Sequence, residues 1–353
     1  MSAKKQSGNA PTLADVARAA GVSVSTAARV LRGDSYPVDP ALAEAVKASA
    51  SELRYVRNIH ARNLRGGAST MMGLIVGDML DPYYGEIAEA VTLQAETRHG
   101  LSAIVCNMQR DAQLELKYCA QLWEHRVGGI ILAGGGFDQW SHFDKLADLV
   151  RRMQDAGVVV ASLTPRGLDV PTFSVDHESL GQVMAKTLTD RGHRRVGILL
   201  GSSHSEATQQ RLRGAMQHLA KSGAGFIIEH AEYNAQAGAN SIDRLLRAHP
   251  DLTGVLVGSS AMAMGVLARL VELGISVPND FSVVCAGKTM MTSWSSPKLT
   301  TVDLSLAATG RAATDFIASR IQGGEPLLPA EPLPLTLFEG ESVTQPREGL
   351  LKL

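Results

Sequence analysis

Three cysteines are all that 353 residues contain: Cys106, Cys119 and Cys285. An odd number, set in strand and helix patterns, builds no disulfide framework and reads as buried reduced thiols. The opening stretch MSAKKQSGNAP lacks the apolar core of an export signal, and no unbroken apolar run approaches the roughly 18 residues that span a bilayer. A cytoplasmic protein without a membrane partner is expected. Enzyme signatures are missing too. The ten histidines are scattered, and no H-E-x-x-H, C-x-x-C or G-x-S-x-G occurs. Gly134-Gly135-Gly136 follows an apolar run but lacks the lysine and hydroxyl of a phosphate loop. No catalytic residue, metal or cofactor is expected.

What is present begins with TLADVARAAGVSVSTAARVLRG, residues 12–33. Thr12 can cap a helix and Asp15 can close a capping box; Leu13, Val16, Ala17 and Ala20 then recur at helical spacing up to Gly21. Ser23 opens a second helix. Its Ala27, Val30 and Leu31 form an inward stripe, leaving Val24, Ser25, Ala28, Arg29 and Arg32 outside. Small outer residues let a helix approach base edges, and an arginine among them can make the two-pronged contact to guanine. Charge agrees with this reading. Residues 1–66 hold ten Lys/Arg against five acids, about +5, in a chain whose net charge is −1.

This stretch resembles the headpiece of the lactose-repressor family of bacterial transcription regulators. The family pattern T-L-x-D-V-A-x-x-A-G-V-S-x-x-T-x-x-R-V-L-x-G is present from Thr12 to Gly33, and a third helix from Asp39 to Leu53 is followed by Arg54-Tyr55. The resemblance implies that Val24, Ser25 and Arg29 read bases, that Thr26 meets phosphate, and that the partner is a palindromic double-stranded operator bound by a homodimer. Ala28 stands where the family usually has serine, and Arg57 where it usually has proline. Residues 57–69, RNIHARNLRGGAS, read either as a solvated linker or as a short hinge helix capped by Asn58. In the second case Leu64 resembles the family's minor-groove wedge.

Beyond residue 70 a β-branched run alternates with an amphipathic helix. Strand candidates are 72–76, 102–106, 129–133, 158–162, 195–200, 225–229, 254–258 and 281–285, a parallel α/β pattern. The expected architecture is a small all-α helix-turn-helix headpiece (1–56), a hinge (57–69), and an α/β two-lobed periplasmic-binding-protein-like core (70–345). The N-lobe would take about 70–168 and 300–325, the C-lobe about 169–299 and 326–345. A return strand at 300–302 and a helix at 305–322 would rejoin the first lobe. Cleft proteins of this kind also include exported solute-binding proteins, which remain the rival reading beside an enzyme. The tail GESVTQPREGLLKL has no leucine heptads of the tetramer-forming sort.

Ligands of such sheets sit beyond the strand C-termini at the topological switch. Asp81, Tyr83, Tyr84 and Asn107 fall there, and Arg211 falls where the family places a ligand-binding arginine. Each has a structural alternative, such as a helix cap for Asp81, a core ring for Tyr83 or a surface ion pair for Arg211. Ser259-Ser260 replace the family's sugar-binding Asn-Asp pair, Gly287 stands where an aspartate is common, and Thr164 lies near another. Lys288 and Trp294 follow in the next loop. With acids lost and Arg211 and Lys288 able to converge, an anionic sugar derivative, either a sugar acid or a sugar phosphate, is expected over a neutral sugar. Lys288 reads equally as a solvated loop lysine.

Overall fold

The computed structural model describes residues 11–32, 38–56, 69–135, 140–325, 327–328 and 331–351. Contacts divide the chain into two compact units, Met1–Gly67 and Ala68–Leu353.

In the first unit, α1 (Leu13–Ala19) starts in a full capping box between Thr12 and Asp15. The backbone turns at Gly21, whose φ of +66° suits a residue without a side chain. Ser23 Oγ then accepts the Thr26 N–H at the head of α2 (Val24–Arg32). Asp39 caps α3 (Pro40–Glu52) by accepting the Ala41 N–H at 2.8 Å. The three helices close over Val16, Ala17, Ala27, Val46 and Ala50. Alanine dominates because so small a unit needs close helix approach.

The second unit holds two sheets, parallel except for the last strand of the second, which pairs antiparallel to its neighbour. In the first lobe, β1 (Met71–Val76), β2 (Ser102–Asn107), β3 (Gly129–Ala133) and β4 (Val159–Ser162) lie in the order β2-β1-β3-β4. The helices α4 (Pro82–His99), α5 (Ala112–Glu124) and α6 (Trp140–Asp155) connect them. In the second lobe, β5 (Arg195–Leu200), β6 (Gly225–His230), β7 (Gly254–Val257), β8 (Ser282–Ala286), β9 (Thr300–Val302) and β10 (Leu337–Phe338) lie in the order β10-β9-β8-β7-β5-β6. Their helices are α7 (His177–Thr189), α8 (Glu206–Lys221), α9 (Ala235–Ala248), α10 (Ser260–Glu272) and the short α11 (Met290–Trp294). Strand order reverses between β1 and β3 and again between β5 and β7, so each lobe has one switch point.

Residues 300–302 do not rejoin the first lobe. As β9 they pair with β8 of the second sheet, Cys285 opposite Thr301, because Thr300 and Thr301 are buried in that ladder. Only the next helix, α12 (Leu306–Ile321), crosses to pack on α4, β3 and β4. The other crossings run side by side: Thr172 bridges to Ser162 at the edge of β4, and Val175 bridges to Leu333.

Helix pairs in the second lobe touch backbone to backbone. A Cβ on Gly181 of α7 would lie 2.0 Å from the Arg211 carbonyl, and one on Gly214 of α8 only 1.9 Å from the Glu178 carbonyl. Two hydrogens at these positions therefore set how deeply α8, which carries Arg211, can sit.

Candidate functional site

On α2, Val24, Ser25 and Arg29 are exposed, Thr26 is half-buried, and Arg32 is the helix's last residue. The Ser23 hydroxyl lies 2.8 Å from those of both Ser25 and Thr26. This network fixes the polar N-terminal turn. Val24 stands 47% exposed. Asn58 and Leu64 lie outside the described residues.

In the second unit a cleft opens where the two switch points face each other. It encloses about 690 Å³ of empty space, its mouth included, and is lined by Asp81, Tyr83, Tyr84, Arg110 and Thr164 of the first lobe. Ser205, Arg211, Tyr233, Ser259 and Gly287 line it from the second. The same device seats a tyrosine in each lobe. Gly77 ends β1 and leaves room for the Tyr84 ring, and Gly201 ends β5 and leaves room for Tyr233; a Cβ at either would collide within 2.3 Å. Tyr233 also meets Thr208 through hydroxyls 2.9 Å apart.

Arg211 is the cleft's buried cation. Its Nε donates to His177 Nδ1 at 3.1 Å and its Nη1 to the Gly258 carbonyl at 3.0 Å. Nη2 has no protein partner among the described residues. Since His177 Nδ1 accepts, its proton sits on Nε2, which is buried without a partner. Burial and the neighbouring guanidinium push the His177 pKa down to about 2. Burial likewise raises the Tyr83 hydroxyl to about 12 and pushes Tyr84 up, so both rings stay neutral hydrogen-bonding groups.

Asp81 caps α4, accepting the Tyr83 N–H at 3.1 Å through Oδ1, and takes Arg110 Nη2 at 3.1 Å on Oδ2. Burial raises its pKa against the pull of that cap and of Arg110. Ser259 is a cap as well, its Oγ accepting the Met262 N–H at 3.2 Å. Behind the first-lobe wall Glu115 is held below the usual carboxylate range. Burial opposes its charge, but Arg166 Nη1 lies 2.7 Å away and His142 2.9 Å.

Three expected residues stand elsewhere. Asn107 braces two loops, its Oδ1 accepting the N–H of Met79 at 3.3 Å and of Gln109 at 3.2 Å, and does not line the cleft. Lys288 does not converge with Arg211. Its Nζ sits 3.5 Å from the centre of the Phe338 ring and lines a separate depression with Glu86 and Asp303. Trp294 ends α11 at 85% exposure and covers nothing in the cleft. Arg110 and Tyr233, in contrast, were not singled out from the sequence. Both stand just beyond the C-terminal end of a strand, the criterion that selected Asn107; applied three residues further along, it selects both.

The profile of "Bacterial regulatory proteins, lacI family" matches residues 12–58, and that of "Periplasmic binding protein-like domain" matches residues 185–343. The chain thus joins a LacI-family helix-turn-helix region to a periplasmic-binding-protein-like domain. It is 25% identical to the HTH-type transcriptional repressor PurR of Photobacterium profundum over 315 residues, covering 88% of this chain and 92% of the relative. The lac repressor dimer bound to operator and the anti-inducer ONPF superposes with a TM-score of 0.80 at 25% identity, over 95% of this chain and 100% of that one. The complex of the transcriptional regulator CelR with cellobiose gives 0.67 at 26%, over 94% and 99%. The chain is therefore a DNA-binding transcription regulator with a small-molecule effector domain, and its relatives are regulators rather than enzymes. Among the described residues no helix is long and apolar enough to cross a membrane, and no acidic, histidine or cysteine cluster could hold a metal ion.

Proposed function

We propose that the chain is a cytoplasmic, homodimeric, non-enzymatic repressor of a catabolic operon whose α2 helices read a palindrome and whose cleft binds an anionic small metabolite. Val24, Ser25 and Arg29 contact base edges, Thr26 and Arg32 contact backbone phosphate, and Asn58 and Leu64 belong to a hinge that enters the minor groove at the palindrome's centre.

The Arg211 guanidinium carries the effector reading. It is buried, held by His177 and the Gly258 carbonyl, and lines the cleft with Nη2 unbonded among the described residues. A guanidinium fixed in this way binds a carboxylate or phosphate oxygen with little reorganisation. The charged residues lining the cleft are Arg110, Arg211 and Asp81, and Asp81 is already paired with Arg110. One positive charge is left over for an anion. Tyr83 and Tyr233 supply ring faces for the body of the metabolite, and Ser259 an additional hydroxyl.

The cellobiose held by the related CelR favours a second reading, a neutral sugar. Calorimetric titration of neutral sugars against their acid and phosphate counterparts separates the two. An anion should bind in preference, and Arg211→Ala should abolish that preference. A neutral sugar that binds better, or an anion indifferent to Arg211→Ala, rejects the anionic reading.

A further inference from the structure

Arg110 touches both lobes at once. Its Nη2 donates to Asp81 Oδ2 in the first lobe and to the Tyr233 carbonyl in the second, each at 3.1 Å. Its guanidinium also lies 5.7 Å from the Tyr84 ring centre in the first lobe and 5.9 Å from that of Tyr233 in the second. It thus makes a hydrogen bond and a ring contact in each lobe, beside ion pairs with Asp81 and Asp78 in its own. The residue stands between the inner pocket and an outer vestibule containing Asp111, Ser202, Ser203, His230 and Glu232, and it lines both.

The backbone is shaped for this reach. Gln109 and Arg110 are consecutive left-handed residues, with φ of +51° and +55°, and neither is glycine or asparagine. Such a conformation persists only where the surroundings impose it. Here the Arg110 N–H donates to the Gly77 carbonyl at 2.8 Å, the Asp111 N–H donates to the Met108 carbonyl at 2.8 Å, and Asn107 Oδ1 takes the Gln109 N–H. The strain aims a long cation across the cleft.

We propose that Arg110 is an inter-lobe latch: bonded to Asp81 and to the Tyr233 carbonyl, it holds the lobes closed and forms the gate between pocket and vestibule. Because a main-chain carbonyl is the acceptor, the latch depends on Arg110 and on its Asp81 anchor, and tolerates a change of the Tyr233 side chain. An effector must pass this gate, so its rate of escape is set by the latch; that part rests on the cleft being the effector site.

The latch is tested without any effector. Spin labels at Lys117→Cys and Gln236→Cys, exposed positions on α5 and α9, report the distance between lobes, with Cys106→Ser in the background and labelled chains diluted into unlabelled ones. Cys119 and Cys285 are buried. Arg110→Ala should lower the ratio of short to long distances at least about tenfold, the scale of one lost charged hydrogen bond. Arg110→Gln, which keeps the length and a donor but loses the charge, should move it the same way and carries the test if the alanine variant does not fold. Distance distributions of either folded variant that superpose on the parent's overturn the latch. The outcome is independent of the anion titration: shifted distances with no anion bound would reject the anionic reading and leave the latch standing.

Discussion

The Nε of Arg211 and the Nδ1 of His177 meet at 3.1 Å inside the second lobe, and the bond depends on His177 staying neutral. A protonated His177 could not accept this bond and would set two cations side by side. Its folded pKa is depressed to about 2, against about 6.5 for a solvated histidine.

The sign of the pH effect follows. Above pH 6.5 His177 is neutral in both states, and its contribution to stability is fully present. Below 6.5 the unfolded chain takes up a proton that the folded chain refuses. Stability attributable to this residue therefore falls as pH drops toward 2, by at most about 1.4 kcal/mol per pH unit. Urea denaturation of the parent and of His177→Asn, from pH 8 to pH 4.5, should give a difference that is flat above 6.5 and turns against the parent below it. A difference that stays flat throughout would mean that His177 titrates normally.

Two helix glycines, Gly214 and Gly85, predict opposite outcomes for one chemical change. Gly214→Ala places a methyl against the Glu178 carbonyl, where neither helix can yield without moving the other, and should cost about 1–3 kcal/mol. Gly85→Ala in α4 meets nothing within 4 Å and should stabilise by about 0.5–1 kcal/mol by favouring the helix. Denaturant midpoints of the two variants check both signs.

On the recognition helix, Arg29→Ala should cost about 1–3 kcal/mol per half-site contact and relax preference at one symmetric base position. Anisotropy titrations against duplexes varied one position at a time measure it. Equal losses at every position would make Arg29 a phosphate contact instead.

For the hinge, Leu64→Ala should reduce operator bending and specific affinity while effector binding persists. Circular-permutation gels with equal bends for both proteins would dismiss the wedge.

How much of this was readable beforehand differed by region. Thr12, Asp15, Ser23 and Asp39 cap helices through local chemistry, and local chemistry is legible in a chain. The eight apolar runs are strands for the same reason, since β-branched residues between turns carry their own signal. Arg211 was found by position within a known pattern. Lys288 and Trp294 misled because proximity in sequence to Gly287, which does line the cleft, says nothing about where a loop points its side chains. Residues 300–302 were misassigned because a three-residue strand has too short a pattern to declare its sheet. Arg110 was hidden in part by its backbone: two left-handed residues without glycine or asparagine arise from tertiary bonds, which a linear pattern does not display.

The central claim is that one chain reads an operator with α2 and is controlled by a metabolite held at Arg211. The direct measurement is selection of binding sites from random duplex DNA, followed by anisotropy titration of the winner with neutral sugars, sugar acids and sugar phosphates. The account predicts a palindrome whose affinity changes with an anionic metabolite, by the same factor by which operator changes metabolite affinity, and an effect that Arg211→Ala erases. No enriched palindrome, or a metabolite effect that survives Arg211→Ala unchanged, would contradict it.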